Sequence, residues 1–168
     1  MKRLIISLFV ALATFSGAYA QKVGYVNSET ILNSLPAYKS AQQKLESLAL
    51  QYKDELDSQL ARVENMYNSY QESKSYLSSS QRQSRETEII STERRVKQKQ
   101  EEYFGENGAI SRKQAELLDP IRKNVEEAID AFASANGYVM IIDITNAPGV
   151  MYLDPRADLT QQIISIIK

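Results

Sequence analysis

Cysteine and histidine are both absent from this 168-residue chain. With no thiols there are no disulfides, so packing alone must hold the fold. With neither thiolate nor imidazole there is no Cys/His metal site and no catalytic triad built on a histidine base. No segment reads G-x-x-x-x-G-K-[ST], which removes the phosphate-cradling loop of nucleotide hydrolases. A basic excess is missing too: 20 Lys+Arg stand against 21 Asp+Glu, a net charge of −1 and no footprint for nucleic acid. Acidic pairs such as Asp54/Glu55, or Asp143 with Asp154, could be imagined as acid–base partners. Nothing in the sequence places them in a pocket, and charge on a solvated helix is their ordinary explanation. No enzyme, cofactor or metal is expected.

What is present begins with a leader. Lys2 and Arg3 are followed by an apolar run from Leu4 to Phe15, broken only by Ser7 and Thr14, and then by Ala18-Tyr19-Ala20. This is the pattern of an export signal over residues 1–20, cut after Ala20 to leave Gln21 first. The run is too short for a membrane span, which needs ~20 residues. A lipoprotein would carry cysteine at the cleavage site. The mature chain would have a net charge of −3, since Lys2 and Arg3 leave with the signal.

The next scarcity is apolar surface in a helical stretch of about a hundred residues, 36–136. From Ala37 to Tyr70 the apolar positions Ala41, Leu45, Leu48, Tyr52, Leu56, Leu60, Val63, Tyr67 and Tyr70 recur at steps of three and four, one narrow helical stripe. Beyond Gln81, Ile89, Val96, Tyr103, Ile110 and Leu117 fall seven apart. The expected partner position of that heptad is polar: Glu93, Gln100, Asn107 and Gln114. Between the halves, the serine cluster within Gln71–Gln81 is a poor helix interior, because hydroxyls compete for backbone groups. The pattern predicts a long antiparallel, coiled-coil-like hairpin with its tip there, its first limb roughly 60 Å at ~1.5 Å per residue and its second limb longer. Phe104-Gly105-Glu106-Asn107-Gly108 should interrupt or kink the second limb. After Pro120 the stripe becomes richer, with Ile121, Val125, Ala128, Ile129, Phe132 and Ala135, until Asn136-Gly137 stops the helix.

The flanks, residues 21–35 and 137–168, read as a small β-body. Lys22–Val26 is a strand, Ser28–Ser34 a short helix, and Pro36 opens the first limb. Tyr138–Ile144 is a second strand. After the turn Asn146-Ala147-Pro148-Gly149, Val150–Leu153 is expected as a third. Asp158 with Gln161 makes a capping-box pattern before a last helix, Leu159–Ile167, with Ile163, Ile166 and Ile167 on one side. So small a body buries little by itself, and its open strand edges invite pairing between copies. Val23, Tyr25, Val139, Ile141, Val150, Tyr152 and Ile163 are the residues expected to carry that assembly.

This whole order resembles the Skp/OmpH family of periplasmic chaperones. The likeness rests on Lys22-Val23-Gly24-Tyr25-Val26-Asn27-Ser28-Glu29, on Gly137-Tyr138-Val139-Met140-Ile141-Ile142-Asp143, and on the closing segment Asp158–Lys168. Tyr103–Gly108 is similar to the version in Bacteroidetes-type members. The resemblance implies a homotrimer whose strands join in a hub, with three hairpins enclosing a cavity for unfolded outer-membrane proteins, without ATP. The best-known members are strongly basic, whereas this mature chain is slightly acidic. Arg94, Arg95, Lys97 and Lys99 are therefore the local candidates for weak contact with membrane or lipopolysaccharide, although a solvated face paired with Glu is the favoured explanation of them.

A holdase needs many weak, adaptable contacts. Met66, Tyr67, Tyr70, Tyr76 and Leu77 near the tip are the expected client-binding residues, with Leu56 and Leu60 higher up. Packing inside the hairpin is the competing role of each. The regular stripe favours it for Leu56 and Leu60, and the tip position favours exposure for Tyr76 and Leu77. The alternative function is a structural coiled-coil envelope adaptor for one folded partner.

Overall fold

The computed structural model describes residues 21–167; the expected leader lies outside the described residues. Strand β1, Lys22–Val26, runs into helix α1, Ser28–Ser34. Asn27 caps α1, its side-chain oxygen accepting from the Thr30 amide at 2.8 Å. The Asp143 carboxylate also serves this end. It accepts from the Ser28 amide at 3.1 Å and from the amide and hydroxyl of Thr145 at 3.0 and 2.8 Å. Burial pushes the Asp143 carboxyl up, but these hydrogen bonds outweigh it and hold the group below the usual carboxylate range.

Helix α2, Pro36–Ser73, starts with proline at its first position and continues unbroken for 38 residues. The turn at residues 74–78 reverses the chain. Ser79 and Ser80, expected in that turn, instead begin α3, Ser79–Phe104, because Ser78 closes a full capping box. The Ser78 hydroxyl accepts from the Gln81 amide at 3.3 Å, and the Gln81 side chain accepts from the Ser78 amide at 2.9 Å. Residues 105–108 interrupt the second limb as the two glycines predict. Both glycines are required by close approach: a Cβ on Gly105 would lie 2.5 Å from the Glu101 carbonyl oxygen, and one on Gly108 would lie 2.8 Å from that of Tyr103. Helix α4, Ala109–Asn136, then carries Pro120 within it and ends at Gly137, whose φ of 70° is left-handed.

Strand β2, Tyr138–Asp143, lies parallel to β1, with Val23 opposite Met140 and Tyr25 opposite Ile142. Parallel neighbours need a crossover connection, and here the whole hairpin is that crossover. Helix α5, Thr160–Ile166, closes the body. The core is Val26, Ile31, Val125, Leu159 and Ile163, with Leu35, Ile129, Phe132, Tyr138 and Ile141 packed around it. The rich end of α4 is thus the limb's anchor in the body. The architecture is α+β, a long helical hairpin on a small two-stranded base.

Three expectations are corrected. Val150–Leu153 forms no strand. The free edge of β1 is occupied instead by Asp158, bridged to Tyr25, and by the Leu159 amide, which donates to the Tyr25 carbonyl at 2.9 Å. Asp158 does not complete a capping box with Gln161. Its carboxylate accepts from the Thr160 amide at 2.9 Å, and Leu159 stands at the cap. On α5, Ile163 is buried and Ile164 and Ile167 pack against the core, while Ile166 faces solvent.

Candidate functional site

The hairpin's interior is thin. On α2 the buried side chains are Ala41, Leu56 and Tyr70; on α3, Val96 alone; on α4, Leu118 and Val125. The heptad through Ile89, Val96, Tyr103, Ile110 and Leu117 does face inward. Its partner position lies one residue earlier than expected: Glu93, Gln100, Asn107 and Gln114 are exposed, and Thr92, Lys99 and Lys113 turn inward instead. A helix places neighbours on one face at both i+3 and i+4, and here the interhelical packing selects i+3.

That shift puts Lys99 against α2. Its ammonium donates to the Glu55 carboxylate and, at 3.1 Å, to the Tyr103 hydroxyl, which itself donates to Glu55 at 2.8 Å. The hydrogen bond from Lys99 leads the causes that hold the Glu55 carboxyl below its usual range, and Glu55 in turn pushes the Lys99 ammonium up. Nearer the tip, the buried Tyr70 hydroxyl donates to Glu86, and this bond raises the phenol above its ordinary value. Neither cluster was evident in the sequence. The signals were Tyr103 on the heptad, seven residues after Val96, and Tyr70 on the stripe of the first limb.

The expected client-binding residues divide into three groups. Leu56 and Tyr70 are buried inside the hairpin. Met66 and Leu77 are half-buried. Leu60 and Tyr67 are each 52% exposed and Tyr76 is 89% exposed. Leu60 therefore departs from the stripe it was expected to share with Leu56, because the inward positions run 56, 59, 63, 66 and 70. Leu60, Val63, Tyr67 and Ile89 line a shallow open groove of about 560 Å³, rimmed by Asp57, Glu64 and Glu93. Leu50, Ile90 and Phe104 are also exposed and were missed, since none sits on a periodic stripe.

The residues expected to join copies also separate. Val23, Val139, Val150 and Tyr152 are exposed, the last at 78%, whereas Tyr25 and Ile163 are buried within the single chain and Ile141 packs on its core. Met140 and Ile142 are exposed but were not anticipated. The pairing of β1 with β2 is irregular between Lys22 and Val23, so Val139 is passed over and the alternation changes phase. Val23, Met140 and Ile142 thereby share one face of the sheet. Met151, 96% exposed, stands beside Tyr152 in the segment that pairs with nothing here.

Charge is uneven along the molecule. Residues 58–99 carry eight Lys or Arg and five Asp or Glu, while the remainder of the expected mature chain carries ten and sixteen. The local basic set is mostly engaged: Lys97 pairs with Glu93 at 3.0 Å, Arg95 donates to Thr92 at 3.0 Å, and Lys99 is turned inward to Glu55.

The profile of the family described as "Outer membrane protein (OmpH-like)" matches residues 22–167. The chain is 26% identical over 162 residues to the "Chaperone protein Skp" of Yersinia enterocolitica, covering 96% of this chain and 95% of that one. It is 25% identical over 159 residues to the protein of the same name from Pectobacterium atrosepticum, covering 95% and 93%. Its fold is similar to a solved OmpH-like outer membrane chaperone from Caulobacter crescentus. That match has a TM-score of 0.70 at 14% identity, over 90% of this chain and 86% of the other.

Proposed function

The chain belongs to the OmpH-like family, and from that premise we propose that it is a periplasmic holdase that binds unfolded outer-membrane proteins and prevents their aggregation without ATP. The observation that carries this reading is the exposure of Leu60, Tyr67 and Tyr76 on a hairpin with almost no dry interior. An unfolded client offers scattered apolar groups. Amphipathic side chains on a solvated arm meet such groups in many registers, each contact weak and replaceable. Leu60, Tyr67 and Tyr76 are the first points of contact, with Met66 and Leu77 at their margins. Leu56 and Tyr70 are covered while the hairpin is closed.

In this reading the chain is exported, residues 21–35 and 137–168 form the hub, and residues 36–136 form the arm. The hub is a homotrimer. Its exposed apolar side chains Val23, Val139, Met140, Ile142, Val150, Met151 and Tyr152 are covered by neighbouring copies. The slightly acidic mature charge and the engaged basic set leave lipopolysaccharide only a weak contact.

The test is an aggregation assay. A denatured β-barrel protein is diluted into buffer with and without the purified assembly at stoichiometric ratio. Light scattering is expected to be suppressed without nucleotide, and for several unrelated clients. Unchanged scattering sinks the proposal, and rescue confined to one folded partner points to the adaptor instead. Tyr67→Glu with Tyr76→Glu is expected to weaken holding while the assembly keeps its mass.

A further inference from the structure

Midway along the hairpin, six side chains make a contact unlike the rest of the seam. Tyr52, Glu55 and Gln59 come from α2; Lys99, Tyr103 and Phe104 come from the last turn and a half of α3. The Tyr52 and Tyr103 rings stack at 3.9 Å with 4° between their planes, and Phe104 meets Tyr52 edge-on at 6.5 Å. Glu55 accepts from Lys99, from Tyr103 and, at 3.0 Å, from Gln59. Lys99 also lies over the Tyr103 ring, 5.4 Å from its centre. The break at residues 105–108 follows immediately, so no continuous helical ladder passes strain from α3 into α4.

Outward of this contact little holds α3: Val96 is its one buried side chain, and nearer the tip Glu86 accepts from Tyr70. Inward of it, α4 is fixed by Leu118 and by Val125 in the core. Segments with few buried apolar contacts open locally at low free energy and do so in contiguous units. The break supplies the boundary of such a unit, and the contact beside it closes the unit's inner end.

We propose that the Tyr52–Glu55–Lys99–Tyr103 contact is a latch: when it parts, α3 leaves the outer half of α2 as one unit, while α4 and the body stay folded, and the hidden side chains Leu56, Tyr70 and Val96 become available to an unfolded chain. The opening stands on its own; the use made of it rests on the holdase reading above. Client capture then has two stages, first at the exposed Leu60, Tyr67 and Tyr76 and afterwards along the uncovered seam.

Hydrogen exchange with mass spectrometry on the intact assembly tests the opening. In Tyr103→Ala, amides of residues 82–103 are expected to exchange about tenfold faster, the effect of losing one packed aromatic. Those of residues 118–135 should keep their wild-type rates. Lys99→Gln, which leaves the ring stack in place, should accelerate the same amides by a smaller factor. Lys53→Gln, whose solvent-facing ion pair with Asp57 stays within α2, should change neither set. Acceleration of both helices together, or of neither, overturns the latch. Zero-length carbodiimide coupling joins Lys99 to Glu55 and holds the contact shut, and Lys99→Arg treated identically is the uncoupled control. Coupled protein is expected to hold a denatured β-barrel client several-fold less tightly than that control. Equal holding overturns the client stage. If wild type holds no client at all, the holdase reading fails, and the exchange rates still decide the latch.

Discussion

Ile163 and Ile31 are fully buried and meet Leu159 and Val26 in a core of few members. Truncation there leaves a cavity that a two-stranded body cannot collapse around. Ile163→Ala is therefore expected to destabilise by ~2–5 kcal/mol, read from denaturant unfolding of the assembly at fixed concentration. Asp143 gives a pH signature. Its carboxyl is held below the unfolded value by Ser28 and Thr145. Its stabilisation is therefore complete above the unfolded pKa of ~3.9 and is lost as pH falls through the lower folded value. Asp143→Asn should flatten that acid limb of the stability curve in a titration of the unfolding midpoint. Glu55 obeys the same sign. Acid is thus expected to weaken the joint between α2 and α3 as well as the body. Residue-scale reading of the sequence succeeded where partners are local: Asn27, Pro36, Gly137 and the tip exposure of Tyr76 follow from neighbours in the chain. It failed for Asp158, whose carboxylate serves the Thr160 amide because β1 draws Leu159 alongside Tyr25, a tertiary demand no local pattern records.

Single positions also decide where helices stop and start. Ser78→Ala removes one half of a capping box and is expected to cost ~0.5–2 kcal/mol, appearing as faster exchange in the first turn of α3. Gly108→Ala is expected to cost ~1–3 kcal/mol, because its Cβ would press on the Tyr103 carbonyl and neither backbone segment can retreat easily. Thermal denaturation followed by helical ellipticity reads this loss. Every α-helix and the interruption between α3 and α4 were legible, since period, proline and paired glycines are carried within each element. The phase of the second seam was not. Gln100 and Lys99 are both allowed by the helical period, and the facing residue Glu55 chooses between them. Val150–Leu153 misled for the opposite reason. Its composition favours a strand, but a strand needs a partner: Asp158 takes the edge of β1, and the segment does not reach the outer edge of β2.

At the scale of the molecule, the exposed apolar side chains Val23, Val139, Met140 and Ile142 predict that Val139→Glu lowers the native mass to that of a single chain while helical ellipticity persists, measured by light scattering and circular dichroism. The basic balance of residues 58–99 against the acidic remainder predicts salt-sensitive capture. Association with an acidic unfolded client should slow by roughly threefold or more between low and high salt in stopped-flow measurements, as screening shortens the reach of the outer arm's field. The α+β class and the hairpin were legible from composition and period; the parallel pairing of the strands was not, since either orientation satisfies their sequences. That pairing makes the arm an insertion between two adjacent threads of one ribbon, with Lys22 waiting for Tyr138 across everything in between. Reach is therefore an adjustable dimension. Excising one heptad from each limb would shorten it by about 10 Å and leave every hydrogen bond of the ribbon in place. Limbs of altered length would then change how far the molecule extends without rebuilding the body itself.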